Sequence, residues 1–255
     1  MPAHGPAPMA AHVAAVVPCK DEADRISATV AAVRALPQVG RVVVVDDGST
    51  DDTAERARAA GADVVRHRAN LGKAAALVTG VDRVRALERQ EAAARDDAPG
   101  VARLAPLLFV DGDLAGTAAH LGVLTGPVLD GEAEMTIATL PAQLTAGGGR
   151  GLVVRLARRG IEALTGFRAI QPLSGMRCLT PSAFDAATPL AHGWGVETAL
   201  TIDVLRAGMR VREVPCELQH RVSGRDWRGQ LHRAEQYRDV WRALLRRGWR
   251  PWQRA

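Results

Sequence analysis

Along the first 115 residues, short apolar runs alternate with stretches of helical period, and polar clusters follow the apolar runs. Residues 13–17 are an apolar run ending at Pro18, and residues 42–45 are four consecutive valines. A continuous β-branched run fits a strand buried on both faces. The pattern predicts strands over 13–17, 41–46, 64–65 and 104–110, and helices over 21–36, 51–60 and 71–86. Pro37 and Gly61 close the first two helices, and Ser49 or Thr50 is a natural N-cap for the second. Residues 88–100 are polar and end in Pro99-Gly100, as a helix end and loop would. Such β-α alternation argues for an α/β fold with a mostly parallel sheet flanked by helices. Ligands of such sheets bind beyond the carboxyl ends of the strands. The polar clusters 18–22, 46–53 and 111–113 lie at those ends.

The second half is less regular. A strand is expected over 134–139, helices over 152–164 and 196–207, and a strand over 210–217. Residues 171–177 are rich in turn formers. Gly147-Gly148-Gly149 marks a flexible loop over 145–151, a candidate lid. With no internal repeat and no Pro/Ser linker, a single domain is expected. Its parts are a disordered lead-in (1–12), two halves (13–115 and 116–224) and a C-terminal amphipathic helix (225–255).

Composition narrows the class. At 255 residues, 47% hydrophobic and 24% charged, the chain has the make-up of a globular domain rather than a disordered one. No apolar stretch reaches the ~20 residues that span a bilayer. The start lacks a basic segment followed by a long apolar one, so no secretory signal is expected. Cys19, Cys178 and Cys216 form no CxxC pair, and they point to a reducing cytoplasm.

Charge redraws the tail. Two of the 33 basic residues are lysines, Lys20 and Lys73. Residues 225–255 hold nine arginines against three carboxylates, a balance of +6, which leaves the body near neutral. Four of the five tryptophans lie there too. Leu231, Ala234, Tyr237, Val240, Trp241, Leu244 and Leu245 recur at three- and four-residue spacing, as in an amphipathic helix. Such a helix docks on the body by its apolar face, or lies peripherally on the inner face of a membrane. A nucleic-acid partner is not expected, because no base-reading motif accompanies the charge.

Three fragments carry candidate chemistry. Asp111-Gly112-Asp113 at a strand end can hold Mg²⁺ or Mn²⁺, which would bridge phosphate oxygens; the same tripeptide is also an ordinary turn. Asp46 and Asp47 follow the valine run and can accept from a base N–H or a ribose hydroxyl. Asp51 and Asp52 suit a helix dipole equally well. Asn70-Leu71-Gly72-Lys73 opens a helix with a glycine and a cation, which suits phosphate, although it is not a P-loop. His67, His192 and His232 belong to none of these fragments and receive no role.

Val17-Pro18-Cys19-Lys20-Asp21-Glu22, Val45-Asp46-Asp47-Gly48-Ser49-Thr50-Asp51-Asp52-Thr53, Asn70-Leu71-Gly72-Lys73 and Phe109-Val110-Asp111-Gly112-Asp113-Leu114 stand in this order. Together they resemble the nucleotide-sugar-binding half of family 2 glycosyltransferases of the GT-A, Rossmann-like type. The match covers residues 13–115. It departs at Lys20-Asp21, where the family pattern has Asn-Glu. In the second half, His192-Gly193-Trp194-Gly195-Val196-Glu197 and Leu218-Gln219-His220-Arg221 resemble segments of glucosyl-3-phosphoglycerate synthases. Residues 171–177 resemble their acceptor loop, and also the acceptor region of polyprenyl-phosphate sugar transferases.

The resemblance implies a metal-dependent hexosyltransferase using a nucleoside-diphosphate sugar, UDP-glucose or GDP-mannose. Pro18, Glu22, Asp46 and Ser49 would line the base and ribose, Lys20 would stand on the donor-site loop after the first strand, and Lys73 would contact the diphosphate. Asp111 and Gly112 would adjoin the donor, and Asp113 with His220 would hold the metal. Glu197 would be the base or an acceptor-hydroxyl contact, near Gly193 and Gly195, which would admit substrate. Ser174, Gly175, Arg177 and Trp194 would bind a phosphorylated, carboxylated or polyprenyl-phosphate acceptor. A homodimer is compatible with this reading. The alternatives are a nucleotidyltransferase, which would need a glycine-rich loop that residues 13–22 lack, and a non-catalytic nucleotide-binding module, in which the acidic motifs would be broken.

Overall fold

The computed structural model describes residues 12–94, 104–140, 151–217 and 227–250. The lead-in, most of the glycine loop, His220 and Trp252 lie outside them. The first half runs β1 (Val13–Cys19), α1 (Ile26–Arg34), β2 (Val39–Asp46), α2 (Thr53–Ala59), β3 (Asp63–Arg66), α3 (Lys73–Ala94) and β4 (Leu107–Phe109). A 3₁₀ segment (Ala115–Leu124) and a short α4 (Gly126–Leu129) follow. The rest is β5 (Met135–Thr139), α5 (Leu152–Thr165), β6 (Arg177–Leu179), α6 (Pro181–Ala186), a 3₁₀ turn (Gly193–Gly195), α7 (Val196–Arg206), β7 (Val211–Pro215) and α8 (Trp227–Arg246).

The described strands form one seven-stranded sheet in the order β3-β2-β1-β4-β6-β5-β7. Its pairs are parallel except where β6 runs antiparallel between β4 and β5. The four valines explain the layering. Val42 and Val44 join a core under α1 and the 3₁₀ segment, and Val43 and Val45 join a second core under α3. Successive side chains of a strand point to opposite faces, so an unbroken valine run feeds both layers. In β1, Ala15 and Val17 go one way and Ala14 and Val16 the other.

Several expected boundaries shift. Helix α1 begins at Ile26, because residues 21–25 form a turn laced to the next loop. Ser49 and Thr50 do not cap α2. Asp52 occupies that position without a side-chain bond, while Ser49 Oγ accepts from the Asp21 N–H. Helix α3 runs on to Ala94. Strand β6 and helix α6 were not predicted; three residues are too few to show a period.

A third core joins α5, α7 and α8 through Leu156, Ile161, Ile202, Val240 and Leu244. Each such buried aliphatic contributes about 1.5–3 kcal/mol. Helix α8 is therefore docked by its apolar face, and Trp241 packs edge-on against Trp249 at 5.2 Å. No helix among the described residues is long and apolar enough to cross a membrane.

Candidate active site

Strands β1 and β4 are parallel neighbours, and the chain leaves them toward opposite edges of the sheet. Crevices form at such switch points. The loops after β1, β2, β3 and β4 meet there, and each is tied to the next. Asp21 has φ +55°, in the left-handed region that Asp tolerates better than most residues. Ser49 Oγ accepts its N–H at 2.9 Å, and its own carboxylate accepts from Thr50 N–H at 2.8 Å. Glu22 N–H donates to Thr53 Oγ1 at 2.8 Å. Thr29, fully buried on α1, accepts from Ala115 N–H and donates to the Gly112 carbonyl, which fixes the turn after β4.

The two acids after β2 divide their work. Asp46 is 0% exposed, accepts from Ser49 N–H at 2.8 Å, and pairs with Arg66 at 3.1 Å. Oδ1 organises the loop, whereas Oδ2 has the Arg66 ion pair but no hydrogen bond among the described residues; the direct contact with base or ribose expected of Asp46 would have to come from this buried oxygen. Asp47 turns toward the next loop and accepts from Leu71 N–H and Gly72 N–H, each at 2.8 Å.

Lys73, at the start of α3, forms the centre of the site. Its Nζ lies 2.8 Å from Asp111 Oδ1 and 2.9 Å from Glu197 Oε1. Glu197, in the first turn of α7, is 7% exposed. Burial opposes the charge on Lys73, but the two carboxylates outweigh it and hold the ammonium well above its ordinary range. Gly175 presses against this cluster. A Cβ there would stand 2.4 Å from Lys73 Nζ and 2.9 Å from Asp111 Oδ1. Ser174, its neighbour, has a buried Oγ with no hydrogen-bond partner among the described residues.

Two expectations for the second half are corrected. Arg177 is 1% exposed and spends its donors internally, on the Ser174 carbonyl and Thr201 Oγ1, each at 2.9 Å. Thr201 Oγ1 in turn donates to the Glu197 carbonyl. Burial pushes the guanidinium down to about 10, opposed by Glu197 and Glu213, so it stays charged at neutral pH. Arg177 thus braces the 171–175 loop against α7 instead of meeting an acceptor. Gly193 and Gly195 do not open a path for substrate; a Cβ on Gly195 would stand 2.8 Å from the Asp239 carbonyl and from Ala243 Cβ. They admit α8. Trp194 between them is 41% exposed.

Known proteins resemble the chain in sequence and in fold. Residues 14–87 match the Glycosyl transferase family 2 model. The crystal structure of glucosyl-3-phosphoglycerate synthase from Mycobacterium tuberculosis with phosphoglyceric acid superposes with a TM-score of 0.68 at 29% identity, covering 92% of this chain and 79% of that one. The same enzyme with Mn²⁺, uridine diphosphate and phosphoglyceric acid gives 0.68 at 28%, covering 92% and 78%. Residues 14–87 thus carry a family 2 glycosyltransferase segment, and the chain has the GT-A fold. The succinoglycan biosynthesis protein ExoU of Rhizobium meliloti is 46% identical over 69 residues, 25% of this chain and 20% of that protein. The chain thus matches about a fifth of that curated relative's length.

The side chains of this site can be tested for a cation. Among the described residues, no group of three or more His, Cys, Asp or Glu side chains is spaced to hold a metal ion. Asp111 and Asp113 are a pair of carboxylates beside the Lys73 cluster, and two carboxylates plus substrate phosphates are a usual Mg²⁺ set. The pair fits a cation that arrives with a diphosphate. The three cysteines are free and buried. Burial, joined at Cys19 by Asp46 and its neighbouring carboxylates, pushes Cys19 and Cys178 up to about 12 and Cys216 up to about 11, which keeps these thiols protonated at neutral pH. Asp47, expected with Asp46 at the base or ribose, instead anchors the 71–72 backbone, and Thr29 is an organising residue that the sequence reading missed. Asp47 stood within a recognised motif and Thr29 inside a helix, and the partners of both are remote in sequence.

Proposed function

We propose that this chain is a glycosyltransferase that moves a hexose from a nucleoside-diphosphate sugar, UDP-glucose before GDP-mannose, to a small acceptor bearing a phosphate or carboxylate. The observation that carries the reading is Lys73, clasped between Asp111 and Glu197 at the carboxyl ends of the strands. A cation at a helix start suits a diphosphate, through its own charge and the helix N-terminus. Pro18, near the end of β1, and Lys20, Glu22 and Ser49, on the loops after β1 and β2, would line the nucleoside side. Asp111 and Asp113 would hold Mg²⁺ or Mn²⁺, with His220 as a further ligand.

When bound, the cation supplies neutralising charge for the departing nucleoside diphosphate, where charge develops in sugar transfer. The chain's own residues do the rest. Lys73 leaves Glu197 and turns to the diphosphate. Glu197, relieved of its cation, can orient the acceptor hydroxyl or take its proton. Arg177 holds the first turn of α7 and the 171–175 loop in register, and Ser174 offers a free hydroxyl to the acceptor. The Mn²⁺, uridine diphosphate, UDP-glucose and phosphoglyceric acid named in the neighbouring complexes support this donor and acceptor chemistry. Calorimetry with UDP-glucose, GDP-mannose and Mn²⁺ tests it: metal-dependent binding of one nucleotide sugar is expected, and binding of neither overturns it.

A polyprenyl-phosphate acceptor is the second reading. It is favoured by Arg242, Arg246 and Leu245, which stay exposed on α8 after its apolar face is docked. Flotation with anionic liposomes separates the two, since only the lipid reading requires the protein to rise with the vesicles.

A further inference from the structure

Asp47 and His67 form a buried unit whose output is the position of Lys73. Asp47 Oδ1 accepts from Leu71 N–H at 2.8 Å and from His67 Nδ1 at 2.7 Å, and Oδ2 accepts from Gly72 N–H at 2.8 Å. Three donors therefore converge on one carboxylate, and the two amides belong to the residues just before Lys73. The other side of the imidazole meets Thr79 Oγ1 at 3.0 Å, one and a half turns further along α3. A carboxylate can only accept, so Nδ1 carries the proton; in the neutral ring Nε2 accepts from the Thr79 hydroxyl. The Asp47 and His67 side chains are each 8% exposed, so water is poorly placed to replace these partners. His67 N–H also donates to the Asp46 carbonyl at 2.9 Å, which joins the unit to the end of β2.

We infer that Asp47 and His67 are positioning residues for the donor diphosphate. They act through the 71–72 backbone and Lys73, and the inference rests on the reading of Lys73 as the diphosphate contact. Lys73 Nζ needs its backbone fixed if the ammonium is to face Asp111 and Glu197 without a donor and a diphosphate with one. The helix start that the diphosphate would approach is held by the same carboxylate. Asp47→Asn keeps the shape but offers one acceptor oxygen and an NH₂ group to three donors, so the 71–72 amides lose their anchor. His67→Ala removes the brace from Asp47 and from Thr79. His67→Asn restores an N–H where Nδ1 stands.

The test is steady-state kinetics with UDP-glucose and Mn²⁺, beside uridine diphosphate titrations of each variant. The donor KM is expected to rise about tenfold in Asp47→Asn and about fivefold in His67→Ala, the scale of a lost charged hydrogen bond. His67→Asn should recover to within about twofold, with kcat at saturating donor and the acceptor KM held within about twofold in all three. A purely structural role would instead lower the melting temperature and the active fraction, and leave the donor KM in place. An unchanged donor KM in folded His67→Ala, or a fall in kcat alone, overturns the positioning role. Should Asp47→Asn fail to fold, the His67→Ala and His67→Asn pair decides by the same split. If the wild-type protein binds no uridine diphosphate, the functional reading falls and takes this inference with it. The wild-type titration thus distinguishes that failure from the first.

Discussion

Lys73→Met should change two affinities in opposite directions. In the wild-type protein a cation entering at Asp111 and Asp113 must compete with an ammonium already 2.8 Å from Asp111 Oδ1. At an effective dielectric near 20 the gross attraction across that distance is about 6 kcal/mol, and desolvation returns most of it. A net charged hydrogen bond of about 1.5–3 kcal/mol remains. The Lys73 side chain is 30% exposed, which favours the lower end. Removing the ammonium removes that competition and takes the Lys73 cation from Asp111 and Glu197. Mn²⁺ alone should then bind about tenfold more tightly.

Uridine diphosphate without metal should bind about tenfold more weakly, because the same charged contact is missing from the diphosphate. Paramagnetic titration of free Mn²⁺ and calorimetry of metal-free nucleotide read the two terms separately. Methionine matches the length of the lysine stem closely, so the fold is expected to hold. If Mn²⁺ affinity is unchanged while nucleotide affinity falls, Asp111 is not a metal ligand. If both are unchanged, Lys73 is not at the donor site.

Other perturbations probe the surroundings. Gly175→Ala should leave the fold intact yet displace the Lys73 ammonium, since the new Cβ would stand 2.4 Å from Nζ; donor KM should rise about tenfold in initial-rate kinetics. Gly195→Val should loosen α8, which approaches to 2.8 Å there, and lower stability by about 1–3 kcal/mol, seen as a lower melting temperature and faster proteolysis near residue 227. The thiols of Cys19 and Cys178, raised from 9.0 to about 12, should react with a disulfide reagent at pH 8 about a thousandfold more slowly than ordinary thiols until the protein is denatured. Arg83 holds the Asp63 carboxyl below its ordinary range through a paired hydrogen bond. Such a group stabilises the fold above its unfolded pKa and loses that contribution as pH falls through its folded pKa. Arg83→Met should therefore be less stable than wild type near pH 6, and the two should converge at low pH in acid-unfolding curves.

Much of the donor half could be read from the chain. The valine run specifies a strand buried on both faces because strand geometry sends alternate residues to opposite layers, and it does so whatever packs there. The succession of such runs with helical segments, each punctuated by glycine or proline, specifies a mostly parallel sheet with loops at one end. The acidic and glycine-rich clusters at those strand ends mark where the chemistry belongs. Sequence also marked Lys73, Asp111 and Glu197 individually, on separate motifs.

Tertiary structure decided how these pieces meet. Lys73 and Glu197 lie 124 positions apart, and their ion pair depends on how α7 is set against the sheet. Periodicity tells which face of an element is covered, and it is silent about the element that covers it. For that reason the glycines flanking Trp194 looked like substrate access and proved to be the seat of α8. An arginine in a turn-rich segment looked like an anion contact, and the short strand it opens carried it into the core, where Ser174 and Thr201 take its donors. The Asp46-Asp47 pair is two like acids in sequence, yet the alternation of the chain beyond β2 sends one to the nucleoside-side loop and the other to the anchor of Lys73. The chain alone determined the layers and the chemical vocabulary of this protein, through local geometry. Only the packing of distant elements determined which of those groups touch.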